Sequence, residues 1–422
     1  MAKQHSIVKI RIETLPGRAA VAAVMLACFV LTVFAAKWNF ANAVSTRVKD
    51  KDLAALAAGL SPRDPQTRYT AAVIYERSFE AGDLERSLSE YEHSAAAAPY
   101  NYLSWLALGA AKVHAGEPDK GELALARALK LAPNYADVQW AYGMALLRRG
   151  DGAAYGFLRS AMTGNSKYAV PAVTAILQGS DGEIGSVREA LGDTQQVNAA
   201  AAAYFIFAGR YDAARSAWER AASFSGDLKP QGEPLIGPLM NAKQYRLAYE
   251  ISRSIGAVNT PPDTIFDGGF ETGVKIRGAG VFEWNIGEGS EPQIALSTAQ
   301  FHSGANSLML VFNARQASEF RSVSRLAAVE PGTAYVLSAF YRADLKAAST
   351  VRFEAVDAAT GAVLTRTPDL AANADWTRVE ARFTTSRDGE GVIVRLVRSD
   401  CAATICPISG TLWIDDIAIA KQ

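Results

Sequence analysis

The sequence predicts a multidomain chain in three parts: an N-terminal transmembrane helix, an all-α helical solenoid and a C-terminal all-β sandwich. Three observations predict it. An uncharged apolar run occupies residues 19–36, glycine-marked turns recur every 34 residues from Gly82, and beyond Asp263 apolar residues alternate with period two. At 422 residues and 49% hydrophobic content, the chain is long enough for two or three cores. Its 43 basic and 43 acidic side chains cancel, so no basic excess points to a nucleic-acid partner.

The apolar run carries no charge between Arg18 and Lys37. As a helix it rises about 27 Å, close to the roughly 30 Å of bilayer hydrocarbon. Trp38 and Phe40 follow it, where aromatic rings favour the headgroup layer. The expectation is a cytoplasmic tail over 1–18, an anchor over 19–36 and a juxtamembrane segment over 37–66. Lys3, Lys9, Arg11 and Arg18 on one side are matched by Lys37, Arg47, Lys49 and Lys51 on the other, so basic residues do not orient the span. Ala41-Asn42-Ala43 keeps a cleaved signal peptide as the rival, although the run exceeds a usual signal core and Lys37 interrupts the approach to that site. Cys28 lies inside the run. Cys401 and Cys406, four residues between them, suit a small disulfide in an oxidising compartment, with two free thiols as the alternative. No second Cys or His pair nearby has zinc-ligand spacing.

Gly82, Gly116 and Gly150 stand 34 residues apart, as do Pro99 and Pro133. Glycine turns the chain, proline ends the second helix of a pair, and small residues let the two helices pack closely. The stretch from Trp105 to Pro133 resembles the tetratricopeptide repeat family: Trp105, Leu108, Gly109, Ala128 and Pro133 fall at its signature positions, while Lys112 and Gly121 depart from it. The register resumes where Ala208-Gly209-Arg210-Tyr211 is echoed by Ala242-Lys243-Gln244-Tyr245. Gly150 and Gly209 are 59 apart, so the repeat around 169–193 is shortened or irregular. About five helical pairs are expected from Arg68 to Ile255, within a repeat domain over 67–256. The resemblance implies that the first helix of each pair lines a concave surface, which puts Tyr69, Glu76, His114, Trp140 and Arg148 on a groove wall facing a protein partner. Trp140 sits one position later in its repeat than Trp105; it either looks outward or fills a gap between helices.

Asn259-Thr-Pro-Pro-Asp263 marks a linker over 257–264, followed by a β-sandwich over 265–422. Tyr335, Leu337, Ala339 and Tyr341 alternate with Ser338, Phe340 and Arg342. Val351, Phe353 and Ala355 alternate with Arg352 and Glu354, and Val392, Val394 and Leu396 with Ile393 and Arg395. In order come Phe266-Asp-Gly-Gly-Phe270-Glu271, Trp284, His302-Ser303-Gly304, Pro331-Gly332, Trp376 and Trp413-Ile-Asp415-Asp416. This succession resembles the jelly-roll carbohydrate-binding modules attached to many bacterial glycosidases. The resemblance implies a glycan partner and a structural calcium held by Glu271, Asp416 and a carbonyl near Ser303, with oxygen donors suited to that ion. Alternatively, Asp415 and Asp416 only end a strand. A glycan face is expected from Trp284, Phe340, Arg342, Arg352, Glu354 and Arg395, the arginines suiting an acidic sugar. The alternative is a solvated face of Arg–Glu pairs. Trp376 and Trp413 are expected to serve packing.

His5, His93, His114 and His302 are scattered, and no His-Glu-x-x-His, Gly-x-Ser-x-Gly or phosphate-binding loop is present. Adjacent strand residues Asp415 and Asp416 point to opposite faces and cannot straddle one glycosidic bond. The expectation is a non-catalytic envelope protein, single-pass in a bacterial inner membrane with its bulk periplasmic. Repeats would dock a protein while the sandwich binds a glycan in exopolysaccharide or O-antigen-type polymer assembly or export. The alternative is a protein scaffold of a secretion or cell-wall complex with a structural β domain.

Overall fold

The computed structural model describes residues 14–78, 80–347, 349–401 and 405–422, which form two compact units, Met1–Ala172 and Val173–Gln422. Most of the expected tail over 1–18 lies outside the described residues. The first unit begins with α1 (Leu15–Ser45), capped by Thr14 with Pro16 in its first turn. Phe29, Leu31 and Phe34 project from it uncovered, and α1 is long and apolar enough to cross a membrane. Thr32 and Asn39 turn their polar groups back onto the carbonyls of Cys28 and Ala35.

The helix runs beyond the expected 19–36, since no breaker interrupts it, and its last turns pack: Ala41 and Ser45 are buried and Asn42 donates to Asp64. The segment 37–66 is mostly helical, with short turns at 46–50 and 61–64. Within it α2 (Lys51–Leu60), capped by Asp50, lays Ala54 and Ala58 on Ala71 and Tyr75 of α3 (Pro65–Glu76).

Three helix pairs follow in this unit: α3 with α4 (Asp83–Ala97), α5 (Tyr102–His114) with α6 (Pro118–Leu131), and α7 (Ala136–Arg148) with α8 (Ala154–Gly164). Gly82, Gly116 and Gly150 hold φ of 82°, 80° and 72° at the turns, a region costly for any side chain. A Cβ on Gly121 would sit 2.8 Å from the Gly109 carbonyl, so glycine there lets α5 and α6 cross more closely than alanine would. The period also repeats as chemistry: Trp105 donates Nε1–H to the Pro99 carbonyl (3.0 Å), and Gln139, 34 residues on, donates Nε2–H to that of Pro133 (2.8 Å).

Helix α9 (Ala169–Gly179) crosses the division between units. Together with α10 (Ile184–Leu191), at 11 and 8 residues, it takes the place of the shortened repeat. Then come α11 (Gln195–Phe207), α12 (Tyr211–Ala222), α13 (Lys229–Asn241) and α14 (Tyr245–Ser254). Among the described residues α11 with α12 and α13 with α14 are the fourth and fifth packed pairs, the number expected, and α9 and α10 stand between them and the first three. Trp218 and Arg215 tie α12 to Ser254 and Glu250 of α14.

The strands are β1 (Asn285–Ile286), β2 (Gln293–Ser297), β3 (Ser307–Gln316), β4 (Val323–Ala328), β5 (Ala334–Ala347), β6 (Val351–Asp357), β7 (Val363–Arg366), β8 (Asn373–Thr384), β9 (Gly391–Arg398) and β10 (Ile405–Lys421). They form two antiparallel sheets, β1-β4-β9-β6-β7 and β2-β3-β10-β5-β8. Leu337, Ala339, Phe353, Val394, Leu412 and Ile414 fill the space between them, as the alternation requires.

The segment 257–264, expected as a linker, is pinned. Asp263 Oδ1 accepts from Tyr335 Oη (2.6 Å), Glu330 N (2.8 Å) and Arg246 Nη1 (3.0 Å), and Oδ2 meets Lys421 Nζ at 2.9 Å. From the last helix pair, Lys243 and Tyr245 donate to the carbonyls of Ala359 and Ala358, and the Arg246 amide donates to Glu390.

Candidate functional site

Sheet order divides the expected glycan-binding residues. Phe340 and Arg342 stand on β5, on the outer face of β2-β3-β10-β5-β8, while Arg352, Glu354 and Arg395 stand on β6 and β9, on the outer face of the other sheet. Trp284 is on neither. It is 3% exposed in the core against Phe270, with Nε1–H donated to the Asp267 carbonyl. The six side chains therefore cannot line one surface.

The β6–β9 face is an ion-pair network. Glu354, almost wholly buried, accepts from Arg366 Nε (2.8 Å) and Arg395 Nη2 (2.7 Å), and Arg352 meets Asp400 (2.7 Å) and Asp369 (3.6 Å). Burial pushes the Glu354 pKa up, but the two guanidinium groups outweigh it and hold it below the ordinary 4.5. A depressed carboxylate contributes stability above its unfolded pKa and loses it as pH falls through the folded value. Glu354→Gln is thus expected to cost about 1–2 kcal/mol at neutral pH, both arginine partners being partly solvated, and to cost less in acid. Chemical denaturation at pH 7 and pH 3 checks this; an equal loss at both would refute it.

The β5 face gathers different chemistry. The His302 ring stacks on Phe340 (centroids 3.7 Å apart, 13° between planes), and Trp376 meets His302 edge-on at 5.8 Å. Arg342 donates to Gln300 Oε1 (2.6 Å) and faces Asp375 at 3.6 Å. Trp413 is the cross-strand partner of Arg342 and of Met309, and its sheltered Nε1 has no hydrogen-bond partner among the described residues. Trp376 and Trp413, expected only to pack, thus join Phe340 and Arg342 on one outer face, with His302 and Gln300 from the preceding loop. The signal for Trp413 was present in the sequence, because Leu412 and Ile414 point inward.

Carboxylates clasp the 301–306 loop beside this face. The His302 and Ser303 amides donate to Asp415 Oδ2 (2.8 and 3.1 Å). Ser303 Oγ donates to Asp416 Oδ1 (2.7 Å), His302 Nδ1 meets Asp416 Oδ2 (2.6 Å), and the Ala305 and Asn306 amides reach Glu271 Oε1 (2.9 and 3.1 Å). Burial raises the Asp415 pKa, while the loop amides hold that of Glu271 down. The expected calcium donors Glu271, Ser303 and Asp416 converge here: a Cβ on Gly269 would lie 3.6 Å from Asp416 Oδ1 and 3.9 Å from Glu271 Cγ. Hard oxygen donors of this kind fit calcium. Each carboxylate already accepts hydrogen bonds, however, and among the described residues no group of three or more His, Cys, Asp and Glu side chains is arranged to hold a metal. Backbone oxygens would have to complete the shell.

The expected groove wall is only partly free. Tyr69 packs edge-on against Tyr91, whose hydroxyl donates to Glu76 (2.7 Å), so both side chains are engaged within their own helix pair. Trp140 stacks on Tyr168 (5.0 Å, 18°), consistent with gap filling, and remains half-buried. His114 and Arg148, at equivalent ends of α5 and α7, are exposed. Cys401 and Cys406 form a disulfide, with Cα atoms 6.4 Å apart.

Residues 262–400 match the family described as Carbohydrate binding domain. Among solved structures, the chain is similar to the CBM22-1–GH10 modules of Clostridium thermocellum xylanase 10B complexed with xylohexaose (16% identity, TM-score 0.27, 38% of this chain and 29% of that one). It is also similar to a family 4 carbohydrate-binding module (13%, 0.28, 37% and 99%). A third likeness is to YrrB, a TPR protein with an unusual peptide-binding site (16%, 0.29, 49% and 90%). The match spans less than a third of the xylanase chain. No curated protein matches this chain. The C-terminal sandwich is thus the part of the chain that matches a carbohydrate-binding family, and ahead of it the described helices pack in pairs whose turn glycines Gly82, Gly116 and Gly150 stand 34 residues apart.

Proposed function

We propose that this chain is a non-catalytic envelope protein, anchored by α1 in a bacterial inner membrane with its bulk in the periplasm, whose sandwich holds a glycan while its helix pairs dock a protein. The aromatic and guanidinium cluster on the β5 face carries this reading. Trp376 and His302, the latter seated on Phe340, offer ring faces to a pyranose, and Arg342 and Gln300 offer polar groups to its hydroxyls. The uncovered apolar surface of α1 supports an anchor, and the Cys401–Cys406 disulfide supports an oxidising compartment. Exposed His114 and Arg148 are the starting points for the protein partner. A polymer-assembly or export role follows from combining a glycan binder with a protein-docking array at a membrane. Calcium, held by Glu271, Ser303 and Asp416, would balance charge in the clasp that positions His302.

The full-length protein, in detergent and with calcium or chelator, is expected to retain acidic polysaccharides on a glycan array. Trp376→Ala and Phe340→Ala should each weaken that binding about tenfold or more, the scale of losing one aromatic anchor. One observation favours the second reading, a scaffold with a structural β domain: His302 already covers Phe340, and Arg342 is already engaged. Retention of no glycan under either condition would leave that reading alone.

A further inference from the structure

A chamber of about 520 Å³ opens in the second unit between the 266–275 segment, Ala257 and the inner side of β4. That volume falls within the roughly 300–1,000 Å³ of small-molecule sites. Arg325 lines it. On β4, Val323, Arg325 and Ala327 point inward, so this guanidinium enters the sandwich where an apolar side chain is the norm, and it is only 3% exposed. Phe266 and Trp284 flank it, with centroids 4.9 and 5.5 Å from Cζ. No carboxylate among the described residues bonds to it, and its Nη2 is sheltered without a partner.

The two carboxylates that line the chamber are committed elsewhere. Asp267 accepts from the amide and hydroxyl of Thr272, and Glu283 accepts from Lys275 Nζ and the Gly280 amide. A buried guanidinium with idle N–H groups is costly unless something supplies acceptor oxygens.

We infer that this chamber is a second ligand site, distinct from the β5 face, in which Arg325 receives the carboxylate of a sugar-sized organic acid such as a uronate. The planar fork of Arg matches a carboxylate. Asp267 and Glu283 in the wall repel a doubly charged phosphate or sulfate more than a monoanion. Val274 and Phe266 give the ring an apolar wall, and Lys275 at the rim gives its hydroxyls a donor. The site does not depend on the glycan reading of the outer face.

The test is a titration of the full-length protein in detergent with glucuronate, followed by tryptophan fluorescence, Trp284 being the reporter beside Arg325. Glucose, glucuronamide and sulfate serve as comparison ligands. Saturable binding of glucuronate is expected, with at least about tenfold weaker binding of the neutral analogues and of sulfate. Arg325→Met should abolish binding while remaining folded, since an apolar side chain suits that core position. Should it fail to fold, Arg325→Lys, which keeps the charge and loses the fork, must still weaken glucuronate about tenfold. The titration is repeated in a Phe340→Ala background, in which the β5 face is weakened; the Arg325-dependent saturable signal should persist there, which separates this site from the β5 face. Absence of saturable binding, equal binding of sulfate, or an unaltered Arg325→Lys protein would overturn the inference.

Discussion

Asp263→Ala is expected to destabilise the second unit by about 2–4 kcal/mol, because it removes one partner from a partly buried set of four charge-assisted bonds. The Tyr335 hydroxyl and the Glu330 amide lose their shared acceptor, and Arg246 and Lys421 lose their counter-charge. Burial alone would raise the Asp263 pKa, yet its partners hold it below the ordinary range. The side chain is therefore ionised at neutral pH, and its contribution is lost as pH falls through that depressed value. Asp263 adopts φ 66°, a conformation asparagine also tolerates. Asp263→Asn should therefore keep the turn, lose the charge and fall between wild type and alanine. Urea denaturation with limited proteolysis across 257–264 reads both effects. An alanine variant as stable and as resistant to protease as wild type would show that the segment is a passive tether.

Gly268→Ala is expected to cost about 3 kcal/mol or more, while Gly269→Ala stays near wild type. The two glycines are adjacent, but a Cβ on Gly268 would land on the carbonyl oxygen of Ile417, a backbone atom that cannot step aside. That strand is also fixed by the Ile417 amide donating to the Gly268 carbonyl at 3.0 Å. A Cβ on Gly269 meets only ordinary contacts, the nearest being Asp415 Oδ1 at 3.5 Å. Comparing the two melting temperatures checks the asymmetry, and equal losses would mean that the clasp rather than the strand contact sets the requirement.

These glycines also mark how far the sequence alone reaches. Turn glycines at 82, 116 and 150 were legible because positive φ excludes most other residues, and the 34-residue spacing follows from them; Gly209, 59 residues beyond Gly150, marks the break in it. The shortened repeat over 169–193 was legible only as that break, because helices as short as α9 and α10 leave too few periodic positions to register. In the sandwich, alternation correctly separated Leu337 and Ala339 from Phe340 and Arg342. It could not separate Arg342 from Arg352, because period two distinguishes inward from outward but not one sheet from the other. That choice is made by strand order, which depends on pairings between distant segments such as β3 with β10. Trp284 is buried for a related reason: the loop ahead of β1 folds into the core, and an aromatic in a loop reads as available until its cover is known. The inward Arg325 did leave a trace, sitting in phase with Val323 and Ala327, and only the chamber gives that trace a purpose.

Lys243 adopts φ 60° where its counterpart one repeat earlier is Gly209 at φ 72°. A side chain in that conformation costs about 1 kcal/mol, and here it places Nζ on the Ala359 carbonyl of the β domain. Stacked repeats need a terminal unit to shield the last helix pair from water. Among the described residues no helix follows α14; Tyr245 packs against Gly391, and Tyr249 against Phe282. The jelly roll thus serves as the end cap of the helical stack. The boundary between repeat and sandwich is then a poor place to cut the chain: helices released without the sandwich would expose two tyrosine rings and be prone to self-association.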